Sequence, residues 1–147
     1  ALRTAYIAAP PHCRAALDEA IYAVNLSQSA LLSELAARLI ASKELDRLLS
    51  RRVEGIEKRN ELVDIILADF ELRGDSHSLS RWLVLPDGIT SAQFEREAAR
   101  RGVCVYGAEH FAVGRSIPEE GARLAICAPE SLQQLEQALV TIRDILR

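Results

Sequence analysis

The chain contains no methionine, a single tryptophan and few aromatic residues of any kind. Without a methionine, Ala1 does not read as a translation start. The opening run Leu2-Arg3-Thr4-Ala5-Tyr6-Ile7-Ala8-Ala9-Pro10 reads as the middle and exit of a strand. The sequence is therefore expected to be a piece of a longer protein. Long hydrophobic runs are also lacking. No apolar stretch reaches the roughly 18 residues that a membrane-spanning helix needs, and no basic-then-apolar leader opens the chain. Cysteine is scarce: Cys13, Cys104 and Cys127 are odd in number and far apart. They read as reduced thiols of a cytoplasmic protein, not as a disulfide framework. No two of them have metal-ligand spacing, and His12, His77 and His110 do not cluster with them, so no metal site is expected. Positive charge is not in excess. A formal net charge of −3 argues against a nucleic-acid surface on this stretch.

What is present is ordinary globular material. The 147 residues, 49% hydrophobic and 27% charged, suit one domain, or one domain and part of another. A short buried strand is expected over 3–8. Pro11 opens a helix over about 11–24 with Leu17, Ile21 and Val24 on one face. A second helix is expected over 28–41, carrying Leu31, Leu32, Leu35, Leu39 and Ile40. The longest helix follows over 43–71, with apolar residues from Leu45 through Phe70 and a dense charged face. Acids alternate with bases on that face, as in Glu54–Lys58, so it reads as a solvated surface with supporting pairs, not as a nucleic-acid stripe. Gly55 inside it costs about 1 kcal/mol relative to alanine.

Beyond residue 71 the pattern changes. Arg73-Gly74-Asp75-Ser76 reads as a loop, Leu79–Leu85 as a strand, and Pro86-Asp87-Gly88 as its turn. Thr90 or Ser91 caps a helix over 91–101 that Gly102 ends. Strands are expected over 103–106 and 122–128, with a glycine-rich, charged loop between them. A last helix spans 130–146 through Leu132, Leu135, Leu139, Ile142 and Leu146. The fold class is thus α+β, with two helices over a three-stranded sheet. The expected division is 1–42, 43–71 and 72–147.

One residue stands out. Gly121-Ala122-Arg123-Leu124-Ala125-Ile126-Cys127-Ala128-Pro129 reads as a buried strand with a guanidinium near its start. A buried cation costs several kcal/mol unless an anion meets it. Arg123 is therefore expected either to hold a ligand's anion or to form an internal salt bridge.

Three stretches carry a resemblance. Leu2-Arg3-Thr4-Ala5-Tyr6-Ile7-Ala8-Ala9-Pro10 is similar to an L-R-x-G-Y-x-x-x-P segment. Ser78-Leu79-Ser80-Arg81-Trp82-Leu83-Val84-Leu85-Pro86 is similar to a strand ending W-L-x-L-P. Val105-Tyr106-Gly107-Ala108-Glu109-His110-Phe111-Ala112-Val113-Gly114, followed by Ala122-Arg123-Leu124, is similar to V-x-x-G-x-x-F-x-V-G and R-L. In this order, and across nearly the whole chain, they resemble the C-terminal part of fold-type I pyridoxal-phosphate aminotransferases of class I/II. More narrowly, they resemble the aminotransferase-like domain of MocR-type GntR-family transcriptional regulators. The resemblance implies that 1–42 is the tail of the large cofactor domain, 43–71 the interdomain helix, and 72–147 the small C-terminal domain. It places Arg3 on the cofactor phosphate, where a surface charge at a strand end is the other reading. It places Arg123 on the ligand's α-carboxylate.

Departures accompany the match. Ala5 stands where the family usually has glycine, and the role of Arg81 is open. His110 reads as a satisfied surface histidine, with approach to a ligand as the other reading. Trp82 reads as core packing, with a stacking platform as its alternative. The only lysines, Lys43 and Lys58, sit in or beside the charged helix. The imine-forming lysine is expected just upstream of Ala1. This stretch alone is therefore expected to carry no catalytic residue, bind no pyridoxal 5'-phosphate and catalyse no transamination.

Two functions follow from the resemblance. In one, the chain belongs to a regulator that senses pyridoxal phosphate or an amino compound and binds DNA through a separate N-terminal domain. In the other, it belongs to a free-standing aminotransferase working on an amino acid and a 2-oxo acid. A cofactor-free interaction module is the third reading. Self-association, as a homodimer, is expected through the apolar faces at Leu31, Leu35 and Leu39.

Overall fold

Pro10 and Pro11 open the helical part of the chain by preventing extended pairing and pre-setting a helical first turn. A 3₁₀ turn over Pro11–Cys13 leads into helix α1 (Arg14–Asn25). Helix α2 (Ala30–Ala41) follows, and then helix α3 (Glu44–Ile66). Lys43, at φ 59°, takes the left-handed conformation that separates α2 from α3. This is a computed structural model that describes residues 5–25, 29–114 and 118–147. It divides the chain into two units, Ala1–Ser50 and Arg51–Arg147, and the division falls inside α3.

In the first unit Ala36 is the one buried hydrophobic residue among those described. Tyr22, Val24, Leu31, Leu35 and Ile40 are exposed. Helical periodicity is present, but the described apolar side chains of this unit other than Ala36 are exposed or half-buried. The strand expected over 3–8 does not appear in its described part: residues 5–8 have no regular secondary structure and are exposed. An isolated strand has no backbone partners and gains nothing from its apolar residues.

The second unit is built on a four-stranded antiparallel sheet in the order β1-β2-β4-β3. Its strands are β1 (Leu72–Arg73), β2 (Arg81–Val84), β3 (Tyr106–Gly107) and β4 (Gly121–Leu124). The sheet gains one strand over the expected three because Leu72 and Arg73, the latter read as the start of a loop, pair with Leu83 and Trp82. The expected strand over 103–106 is displaced to β3. The expected strand over 122–128 stops at Leu124, where bonds from Ile126 N to Leu124 O and from Ala128 N to Ala125 O turn the chain away.

Helix α4 (Ser91–Arg100) begins at a full capping box, with Thr90 and Gln93 satisfying each other's backbone N–H groups. Gly102, at φ +81°, ends it in the left-handed conformation. Helix α5 (Leu132–Leu146) is capped by Ser131, which accepts from Gln134 N. Phe94 and Ala98 of α4, Leu135, Leu139 and Ile142 of α5, and Val63 of α3 meet Leu83, Ala122 and Leu124 of the sheet in one core. The architecture is α+β. Among the described residues no helix is long and apolar enough to cross a membrane.

Candidate functional site

The antiparallel register aligns four residues in one row across the sheet. Arg73 of β1 faces Trp82 of β2, Trp82 faces Arg123 of β4, and Arg123 faces Tyr106 of β3. Side chains alternate between the two faces of a strand, so this row stands on the face away from the core that holds Leu83, Ala122 and Leu124. Arg123 is therefore half-buried on the outer face, not enclosed in an apolar strand interior. The unbroken apolar residues after Leu124 belong to the turn, and they hide the alternation in the sequence.

The surroundings of Arg123 are aromatic. Its guanidinium carbon lies 5.3 Å from the Tyr106 ring centroid and 5.2 Å from that of Phe111. Phe111 reaches it from the 3₁₀ turn Ala108–Phe111 and meets Trp82 edge-on at 5.7 Å. Ring faces of this kind stabilise a cation by about 0.5–2 kcal/mol. They do not use its N–H fork. Arg123 Nε is buried without a hydrogen-bond partner, and among the described residues the guanidinium meets no carboxylate. The internal salt bridge, one of the two sequence expectations, is thus not made there.

Among the described residues, two other basic side chains near Arg123, Arg73 and His110, have carboxylate partners. Arg73 donates to both oxygens of Glu119, at 2.6 and 2.9 Å, and to Glu71 at 3.0 Å. Glu119 and Glu71 hold its pKa above the usual arginine range, and the Glu119 carboxylate is in turn pulled below its own. His110 packs against Tyr106 and lies 3.1 Å from Glu95, which also accepts from Gly107 N at 2.9 Å. His110 is thereby a partnered surface histidine. Trp82 is not core packing: it covers Gly121, where a Cβ would sit 2.6–2.7 Å from indole atoms.

Arg81, whose role was open, points the opposite way. It is 6% exposed and donates to Asn60 Oδ1 at 3.2 Å and Asp64 Oδ1 at 2.8 Å. Asn60 in turn donates to the carbonyls of Ile56, Ser76 and Ser78, each at 3.0 Å. This cluster ties β2, which carries Trp82, to α3. Nothing in the sequence pairs residues 60 and 64 with 81; only the fold does. At the start of β4, Ser91 donates to Glu120 through both N and Oγ, and its Oγ accepts from Gly121 N at 2.9 Å. That bond fixes the start of β4.

Arg3, expected on a cofactor phosphate, lies outside the described residues. Lys43 and Lys58 are both exposed. No group of three or more His, Cys, Asp or Glu side chains capable of holding a metal occurs among the described residues.

No protein-family model matches the chain. A curated relative, the uncharacterized HTH-type transcriptional regulator YdeF of Bacillus subtilis (strain 168), is 41% identical over 145 residues. The match takes in 99% of this chain and 31% of the relative, so the chain spans about a third of that protein's length. Among solved structures, the multiple substrate aminotransferase of Thermococcus profundus aligns at a TM-score of 0.73, with 18% identity, over 92% of this chain and 34% of its own. The Pyrococcus horikoshii kynurenine aminotransferase does so at 0.73 and 18%, over 93% and 36%. The Thermus thermophilus α-aminoadipate aminotransferase gives 0.73 and 19%, over 94% and 36%.

The fold is that of an aminotransferase C-terminal domain. At this identity the likeness establishes the fold alone. The sequence relative adds a transcriptional regulator whose chain contains a segment of the same kind.

Proposed function

We propose that this chain is part of the aminotransferase-like effector domain of a GntR/MocR-type transcriptional regulator. Pyridoxal 5'-phosphate or an amino compound is sensed by the full-length protein, and DNA is bound through a separate N-terminal domain. The observation that carries the reading is the 41% identity to an HTH-type regulator along essentially the whole chain, combined with an aminotransferase fold. In this reading Arg123 receives the carboxylate of an amino-acid ligand, for which its unused N–H fork is suited. Arg3 contacts the cofactor phosphate. The protein works in the cytoplasm, and a ligand shifts DNA binding through its unequal affinity for two conformations.

The aminotransferase fold of the solved neighbours supports a second reading, a free-standing aminotransferase acting on an amino acid and a 2-oxo acid. The full-length gene product separates the two. A regulator binds operator DNA with an affinity that changes on adding pyridoxal phosphate or amino acid. An aminotransferase converts 2-oxoglutarate to glutamate at the expense of an amino donor and binds no DNA. Turnover without DNA binding would overturn the regulator reading.

The exposed apolar faces of α1 and α2 support self-association, since faces of this kind are normally covered. Light scattering over a range of concentrations tests it. A monomer at high concentration would overturn it.

A further inference from the structure

The ladder between β3 and β4 holds two pairs, Tyr106 with Arg123 and Gly107 with Ala122, and stops there. Continued in register, it would set Val105 opposite Leu124 and Cys104 opposite Ala125. Instead the chain after β4 turns away through the bonds from Ile126 N to Leu124 O and from Ala128 N to Ala125 O. Residues 103–106 nevertheless keep the alternation of a strand: half-buried, exposed, buried, exposed. Among the described residues, no hydrogen bond reaches the backbone groups of Cys104 or Val105, although Val105 is only 4% exposed. Buried peptide groups are almost always paired, so this stretch is a strand short of a partner. A cavity of about 520 Å³ adjoins it, walled by residues of the 101–105 and 124–129 segments and by α5. Its apolar floor includes the buried Val105, Leu124, Leu139 and Ile142. Arg101 is the one charged residue lining it, and Glu97 holds that guanidinium at 2.8 Å.

We propose that this cavity seats an extended, uncharged and apolar segment of the longer protein, lying outside residues 1–147, which pairs with residues 103–105 as an added strand. The inference rests on the reading of this chain as part of a larger regulator and names a further contact within it. The match to the regulator relative takes in 31% of that protein, so a longer chain of that kind has ample material for such a segment. The lining disfavours a charged occupant, because nothing there would offset its loss of water. A strand supplies what a compact ligand does not: a row of N–H and C=O groups spaced to meet those of consecutive residues. Apolar side chains on one face of it cover the cavity floor and remove that surface from water.

The test uses the full-length gene product and follows amide hydrogen exchange by mass spectrometry in overlapping peptides that cover residues 103–106. Once paired, the amides of Cys104 and Val105 should exchange about a hundredfold more slowly than unpaired ones. Cys104, exposed in this structure, should also react with iodoacetamide about tenfold more slowly than in the same protein unfolded in urea. Ala138→Glu puts a charge into the cavity wall and should return both rates to the unpaired values while the circular dichroism stays that of the wild type. Gln137→Lys does the same from an exposed position and serves should Ala138→Glu not fold. Fast exchange and fast alkylation in the full-length protein overturn the inference. Protection that is lost on dilution assigns the place to a second copy and overturns the occupant proposed. Protection left intact by both variants overturns the cavity as its seat. A gene product with no residues beyond these 147 overturns the regulator reading itself, and is thereby told apart from a longer product whose Cys104 stays open.

Discussion

Asn60 accepts a hydrogen bond from Arg81 at 3.2 Å in a place where both side chains are shut off from solvent. The Asn60 amide donates to three carbonyls from two segments, so one side chain ties α3, the 76–78 turn and β2 together. Buried polar clusters of this sort are costly when broken, because the groups left behind have no water to replace the lost partner.

Asn60→Ala should accordingly destabilise the fold by about 2–3 kcal/mol, the cost of stranding Arg81 and buried carbonyls. Asp64→Ala should cost less, about 1 kcal/mol, because the Asp64 side chain is 53% exposed and water takes its place beside Arg81. Urea midpoints of the two variants and their double mutant check the order. A coupling between the sites near zero would show that the cluster does not act as a unit.

Gly121→Ala should be destabilising by about 1–3 kcal/mol, the range for overpacking. A Cβ there would lie 2.6–2.7 Å from Trp82 Nε1, Cε2 and Cζ2, atoms of a rigid ring that yields only by swinging as a whole. The emission of Trp82 should shift with the loss of stability. An unchanged spectrum together with a wild-type melting temperature would contradict the packing.

Ser91→Ala removes the hydroxyl that accepts from Gly121 N and donates to Glu120. Stranding the buried Gly121 N–H should cost about 1–3 kcal/mol at neutral pH. The bonds from Ser91 hold the Glu120 carboxyl below the usual glutamate range. A carboxylate with a lowered folded pKa contributes stability that is present above the unfolded value, about 4.3, and fades as pH falls through the folded value. The stability gap between wild type and Ser91→Ala should therefore narrow on going from pH 7 to strongly acid solution. Denaturation midpoints across that range test the sign.

Acid sensitivity should extend beyond Glu120. The Arg73 bond lowers the Glu119 pKa, the Arg101 bond that of Glu97, and the His77 backbone N–H that of Asp75. All shift in the same direction, so each contributes stability above the unfolded carboxylate range and loses it below. These groups are exposed and individually weak. Added salt should flatten the contribution of the ion pairs, and a stability that rises on acidification below pH 4 would refute the assignment.

Phe94, 1% exposed and packed between α5 and the sheet, is a large side chain of the core. Phe94→Ala should cost about 3–5 kcal/mol through the cavity it leaves. Loss of that order should be visible as a lowered melting temperature with retained helical circular dichroism at low temperature, or as failure to fold.

The helices were legible in the sequence because their determinants are local. Thr90 and Gln93 write a capping box four residues long, Gly102 supplies a left-handed stop, and Leu135, Leu139 and Ile142 keep helical spacing with no need of a distant partner. The α+β class followed from the order of those elements. Arg123 was also visible as an anomaly, and a chemical use for it could be named from the resemblance of the stretches around it.

Strand limits and side-chain facing were not legible, because a strand is defined by residues far away in the chain. Leu72 and Arg73 become β1 only through Leu83 and Trp82, and β4 ends at Leu124 only because the chain bonds back on itself there. The charged and aromatic residues alternate on the outer face, but the register that sets Arg123 between Trp82 and Tyr106 joins segments some 17 to 41 positions apart. Local pattern sufficed to say which segments are helical, where they stop, and that one arginine needs a partner. Strand pairing and packing made that partner ring surface on an open face and not an acid in the core, since register and burial are fixed by contacts that no local pattern encodes.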